Sequence, residues 1–170
     1  MHISYFFFST ALAACLFATP SQAQSSGELT VIIAGDERTI PVWPEQSDWS
    51  GSERWPSINI YARDFRDEGQ EPAMVSLGFE APDWKPGSPE MDMVLYENRK
   101  PVGTLFAREN EEGGGLTVTL DSRAIDGSSL SMSGSFEGTL GPSDNYGRDI
   151  DLSQGVPVTG RFTVTLDQLD

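Results

Sequence analysis

The chain has 170 residues, with 26 Asp and Glu against 11 Lys and Arg and a formal net charge of -15. That balance opposes binding to nucleic acid and to anionic membrane surfaces, both of which ask for positive charge on the protein. The one cysteine, Cys15, and the one histidine, His2, fall in an N-terminal segment with the marks of an export signal; without it the chain holds no thiol and no imidazole, which excludes Ser-His-Asp and Cys-His catalysis, zinc sites built on Cys or His, and disulfides.

Residues His2 to Ala23 contain no Asp, Glu, Lys or Arg. An apolar run from Tyr5 to Ala18 is followed by Pro20 and Ser21-Gln22-Ala23, and the small residues Ser21 and Ala23 fit signal peptidase, with cleavage before Gln24. The run falls short of the roughly 20 residues that cross a bilayer as a helix. A second reading of the same residues is the lipobox Leu12-Ala13-Ala14-Cys15, in which Cys15 is lipidated and anchors the chain. Either way the expected location is the periplasm or the cell exterior. Residues 1–23 are thus read as a signal peptide and residues 24–170 as a single domain.

After a short leader, Gln24 to Gly27, period-two alternation dominates. Leu29–Ile33 and Arg38–Val42 read as a hairpin about Ala34-Gly35-Asp36-Glu37, with Pro41 marking an edge strand. Ser57–Ala62, Val75–Phe79, Met91–Tyr96, Val102–Phe106 and Leu116–Leu120 read as further strands, and Glu97–Pro101 as a turn. The longest alternation puts Leu130, Met132, Gly134, Phe136, Gly138 and Leu140 on one face, where Gly134 and Gly138 read as bulges or bends. In the last strand Val158, Gly160, Phe162, Val164 and Leu166 oppose Thr159, Arg161, Thr163 and Thr165. With 17 Gly and 11 Pro, helix is expected only as one turn within residues 62–70. The fold class expected is all-β: an antiparallel β-sandwich of about nine short strands, wet on its outer faces, with a closed β-barrel as the alternative and a signal-peptide helix in front.

The signal, the first hairpin and the closing pair Gly134-Ser135-Phe136-Glu137-Gly138-Thr139-Leu140 and Gly160-Arg161-Phe162-Thr163-Val164 resemble small bacterial cell-envelope domains of uncharacterised function, many of them lipoproteins. The resemblance covers the last third of the chain and the first hairpin. It implies a sandwich-like fold and an envelope location, and no activity. The chain departs from lipidated members of that kind in carrying Leu16-Phe17 where they place a polar tether.

Tryptophan placement is the most unusual feature. Trp43, Trp49 and Trp55 are six residues apart in a Pro- and Ser-rich stretch, and Trp84 lies in Ala81-Pro82-Asp83-Trp84-Lys85-Pro86-Gly87. Indole rings on loops, with acids nearby, suit stacking on a sugar ring or gripping a peptide, whereas the same rings also plug sandwich ends beneath loops. Trp43 and Trp55, each followed by Pro, fit the plug; Trp49 and Trp84 have polar neighbours and lead the candidate ligand-binding surface, with Trp55 third. A candidate calcium site is the acidic stretch holding Asp144, Asp149 and Asp151, since clustered oxygen ligands suit a hard cation; Asp149-Ile150-Asp151 reads equally as an edge strand with its acids outward. Glu109 to Gly115 reads as a flexible, solvated hairpin loop. A pair of carboxylates is all that glycoside hydrolysis needs, and no spacing picks one pair out. The expectation is an exported, non-catalytic binding or interaction module of the bacterial envelope with a glycan or protein ligand, no nucleic-acid partner and no cofactor beyond calcium. The alternatives are a carboxylate-dependent glycan-cleaving enzyme and a calcium-stabilised structural domain.

Overall fold

The computed structural model describes residues 24–65 and 69–169. The signal segment with Cys15 lies outside the described residues, as do residues 66–68 of the expected helical turn, the rest of which begins as strand. Among the described residues ten strands follow one another: β1 (Ser26–Ile33), β2 (Asp36–Pro41), β3 (Asp48–Ser52), β4 (Trp55–Asp64), β5 (Ala73–Glu80), β6 (Gly87–Glu97), β7 (Lys100–Arg108), β8 (Thr117–Asp126), β9 (Ser129–Pro142) and β10 (Val156–Gln168). The first hairpin turns on Ala34 and Gly35, both at positive φ, and β6–β7 turns on Asn98 and Arg99, again both at positive φ. Such turns match the right-handed twist of the strands they join.

The strands form two antiparallel layers. One runs β2-β1-β10-β9-β8 and the other β3-β4-β5-β6-β7. The layers are hydrogen-bonded to each other at two corners. The end of β10 pairs in parallel with β3 at Asp167↔Asp48 and Gln168↔Trp49, and the end of β9 pairs with β7 at Leu105↔Pro142 and Phe106↔Gly141. Seven strands thereby close a circuit, so the all-β reading holds while the molecule combines the two layers of a sandwich with the continuous hydrogen bonding of a barrel. Length is the reason: β9 and β10 are the longest strands, with 14 and 13 residues, and overhang their own layer far enough to reach the other.

One core fills the space between the layers. Leu29, Leu130, Phe162 and Leu166 from one layer meet Trp49, Ile58, Ile60, Leu77 and Met91 from the other, all wholly buried, and the rings of Phe79 and Phe162 approach across the layers to 6.2 Å. Among the described residues no buried side-chain polar atom lacks a hydrogen-bond partner.

The β9–β10 ladder is unbroken from Leu140↔Val156 to Ser129↔Asp167. Within it Gly134 sits opposite Phe162, and Gly160 opposite Phe136. A Cβ on Gly134 would lie 2.6 Å from Cζ of Phe162 and would also overlap the Thr119 carbonyl; one on Gly160 would overlap Cζ of Phe136 and the Thr30 carbonyl. Each phenyl ring therefore covers the glycine facing it. The expectation of bulges or bends at Gly134 and Gly138 holds only in part: Gly134 faces a bulge that β8 carries between Leu120 and Ser122 and makes room for a ring, whereas Gly138 lies in an unbroken ladder with β10 and against Leu116. Strand β3 is the element that alternation does not announce, because Asp-Trp-Ser-Gly-Ser offers one apolar residue.

Gly160→Ala is expected to destabilise the protein by at least the roughly 1–3 kcal/mol of an overpacked core, measured by urea denaturation. The same change on a Phe136→Ala background should cost measurably less, because half of the overlap is gone.

Candidate functional site

The register of the second layer brings polar residues from five strands into rows on its outer face. Asp48, Asn59, Gly78, Glu90 and Arg108 stand side by side across β3 to β7, and Tyr61, Ser76, Asp92 and Phe106 form the next row. They are outward because the residues between them, Ile58, Ile60, Leu77, Phe79, Met91 and Ala107, are buried. Gly78 is the gap in this face. Its φ is not positive, and a Cβ there would find only ordinary contacts, with Asn59 Oδ1 at 3.6 Å and the Ile58 carbonyl at 3.7 Å. Neither conformation nor packing calls for glycine in this central strand, where it costs about 0.5–1 kcal/mol relative to alanine. Gly78 lies in a depression of about 320 Å³ lined also by Ser57, Asn59, Tyr61, Glu80, Glu90 and Asp92 among others.

The lining is held in place. Asn59 Nδ2 donates to Asp48 Oδ1 at 3.1 Å. Arg108 Nη1 donates to Asp92 Oδ1 at 2.9 Å and to the carbonyls of Ala107 and Met91, while its Nε lies 3.7 Å from Glu90 Oε2. A carboxylate has about four lone-pair sites, so Glu90 and Asp92, which line the depression, keep acceptor capacity toward it.

Of the tryptophans singled out, Trp55 is the most exposed. It opens β4, is 59% exposed, and donates from Nε1 to Glu80 Oε2 at 2.9 Å, which sets the indole at the rim beside a lining carboxylate. Trp49 is corrected from contact surface to core: β3 turns it inward, it is 1% exposed, and its Nε1 donates to the Ser128 carbonyl at 2.9 Å. Its polar neighbours Asp48 and Ser50 are the outward residues of a strand, not the flanks of a loop. Trp84 is half-buried against the core, with the Arg123 guanidinium 4.6 Å over its ring, in a turn where Asp83 and Trp84 both have positive φ. Trp43 is half-buried under Arg63, whose guanidinium lies 3.5 Å from the ring centre.

The three candidate calcium ligands line one depression of about 440 Å³ with Ser143, Asn145 and Gln154, where Asp149 and Asp151 are engaged in separate hydrogen bonds. Asp149 Oδ2 accepts from Asn145 Nδ2 at 2.6 Å. Asp151 caps the 3-10 turn Leu152–Gln154, accepting from the Ser153 amide and from Gln154 Nε2, both at 3.0 Å. Among the described residues no group of three or more His, Cys, Asp or Glu is placed to hold a metal ion, and Asp149-Ile150-Asp151 is not a strand. The Glu109–Gly115 segment is also corrected: it forms a 3-10 turn at Glu111–Gly113, buries Gly113, and is bonded to β9 by the Thr139 amide on the Gly114 carbonyl at 2.8 Å.

Sequence reasoning passed over Tyr61, Gly78, Glu80, Glu90 and Asp92. A signal was present in the alternation, since each of these sits between apolar core positions, but which strands lie side by side is not written in that period.

The Asp151 carboxyl is held below its ordinary value of 3.8, first by the Ser153 hydroxyl, then by Gln154 and the Ser153 amide. A carboxyl lowered by folding adds stability above the unfolded-state value and loses it as pH falls through the folded one. Asp151→Asn should therefore lower the melting temperature at pH 6, and the gap from wild type should close between pH 4 and about pH 2, read by thermal melts across that range. No family model, no curated protein and no solved structure matches this chain.

Proposed function

We propose that the protein is an exported, non-catalytic binding module of the bacterial envelope, and that it holds a glycan in the depression on the outer face of β4, β5 and β6. The observation that carries this reading is the gap at Gly78, ringed by hydrogen-bonding side chains and edged by Trp55. Sugars present hydroxyl groups around a ring whose C–H faces are apolar. Carboxylates, an amide and hydroxyls at fixed positions meet the first need, and an exposed indole with its N–H already anchored meets the second. The sparse apolar lining argues against a protein partner that buries a hydrophobic anchor. The export signal read from the first 23 residues supports a location where polysaccharides are met.

One observation favours a second reading. Glu80, Glu90 and Asp92 line the same depression, and two carboxylates flanking a glycosidic bond are the minimum for its hydrolysis.

An oligosaccharide array followed by titration calorimetry separates these readings. Trp55→Ala is expected to weaken binding about tenfold or more, and Gly78→Val should abolish it with a thermal melt at or above wild type, because a Cβ there meets only ordinary contacts and glycine is itself unfavourable in a central strand. Binding that survives both changes sinks the assignment of this face. Release of reducing sugar ends that disappears in Glu90→Gln, with binding retained, establishes the hydrolase instead.

A further inference from the structure

The depression at Gly78 does not end at β6. A second one, of about 440 Å³, is lined by Arg108, Glu109, Glu112 and Arg148 together with Ser88 and Glu90, and the last two also line the first. Ser88 and Glu90, both exposed, thus form the divide at which two adjoining depressions meet, and together the two make a trough across β4 to β7. Three strand spacings alone make it about 14 Å long, more than one sugar ring occupies.

The far wall of the trough is built, not incidental. The segment 143–150 folds over the outer face of β7, where it covers Phe106 to 7% exposure. It comes so close that a Cβ on Gly147 would lie 2.6 Å from Arg108 Nη2 and 2.8 Å from Phe106 Cδ1. The segment is braced from within: Ser143 Oγ accepts from the Gly147 amide at 2.9 Å, and Asn145 Oδ1 accepts from the Asp149 amide at 2.9 Å. On the opposite side Glu109 Oε2 accepts from the Ser88 amide at 3.2 Å, which ties the divide to the wall. Carboxylates outnumber cations along the whole course: Glu80, Glu90, Asp92, Glu109, Glu112 and Asp149 face Arg108 and Arg148, and Arg108 is already paired with Glu90 and Asp92. An acidic polymer is repelled from such a channel.

Resting on the glycan reading above, we infer that the trough takes a linear polysaccharide without acidic groups, several sugars at a time, with one end of the bound stretch at Trp55 and the other between Arg148 and Glu112. Monosaccharides and dimers fill only the Gly78 half. The two halves then contribute separately, and affinity is a function of chain length.

Calorimetry with cello-, xylo- and chitosan oligosaccharides from dimer to hexamer tests this, with oligogalacturonate as the acidic control. For the series that binds, affinity is expected to rise about tenfold or more from dimer to hexamer, and oligogalacturonate should not bind. Arg148→Ala and Glu112→Ala, both exposed positions whose melts should match wild type, are expected to weaken the hexamer several-fold and leave the dimer unchanged. Affinity that is flat with length, or a hexamer indifferent to both changes while Trp55→Ala still weakens binding, overturns the extended site and leaves the glycan reading standing. Failure of every saccharide to bind, with or without capture of a lysine-rich peptide by the same trough, overturns both.

Discussion

Two long strands facing each other determine most of this structure. In β9 and β10 each phenylalanine lies across a glycine of the partner strand, Phe162 over Gly134 and Phe136 over Gly160. The arrangement is self-checking. A slip of one residue would turn every apolar side chain of the slipped strand to solvent; a slip of two would keep the faces but set ring against side chain. Only one register satisfies both the alternation and the volumes. That register also decides where the strand ends arrive, and it is at the ends of β9 and β10 that strands of one layer pair with strands of the other.

Closure at those corners leaves β2 and β8 at the margins of the sheet, and each is treated as an edge must be. β2 carries Pro41 and is followed by a bridge between Val42 and Ala62 of the opposite layer. β8 has its bulge after Leu120, bears Asp121, Arg123 and Asp126, and lays Arg123 over Trp84. The same features that discourage pairing with another chain brace the sandwich from the side. The strongly acidic surface acts in the same direction, since like charge keeps copies apart.

The outer face of the second layer follows from its inner face. Burying Ile58, Ile60, Leu77, Phe79 and Met91 leaves Ser57, Asn59, Tyr61, Ser76, Glu80 and Asp92 no direction but outward. Their spacing across strands is the spacing of the sheet, so a rigid core positions a polar surface precisely without any loop. Trp55 joins this surface because its N–H is bound to Glu80, and segment 143–150 joins it because Gly147 allows the chain to lie against Phe106 and Arg108.

Period-two alternation and the abundance of glycine and proline made the all-β class, the first hairpin and the inward faces of β9 and β10 readable from the chain alone, because a strand alternates its faces whatever it packs against. The same reading misplaced Trp49 and ranked Trp55 behind it. A five-residue strand with one apolar side chain has too little period to be seen, and its tryptophan is inward only because β10 and β4 arrive on either side of it. Gly78 shows the limit most plainly. In sequence it is one glycine among 17; it becomes the floor of a depression because β4 and β6 place Asn59 and Glu90 beside it. Which face a residue takes is a local matter of backbone geometry, and that the sequence determined. Which residues become neighbours across strands depends on register and on where long strands end, and that only the packed tertiary structure decided.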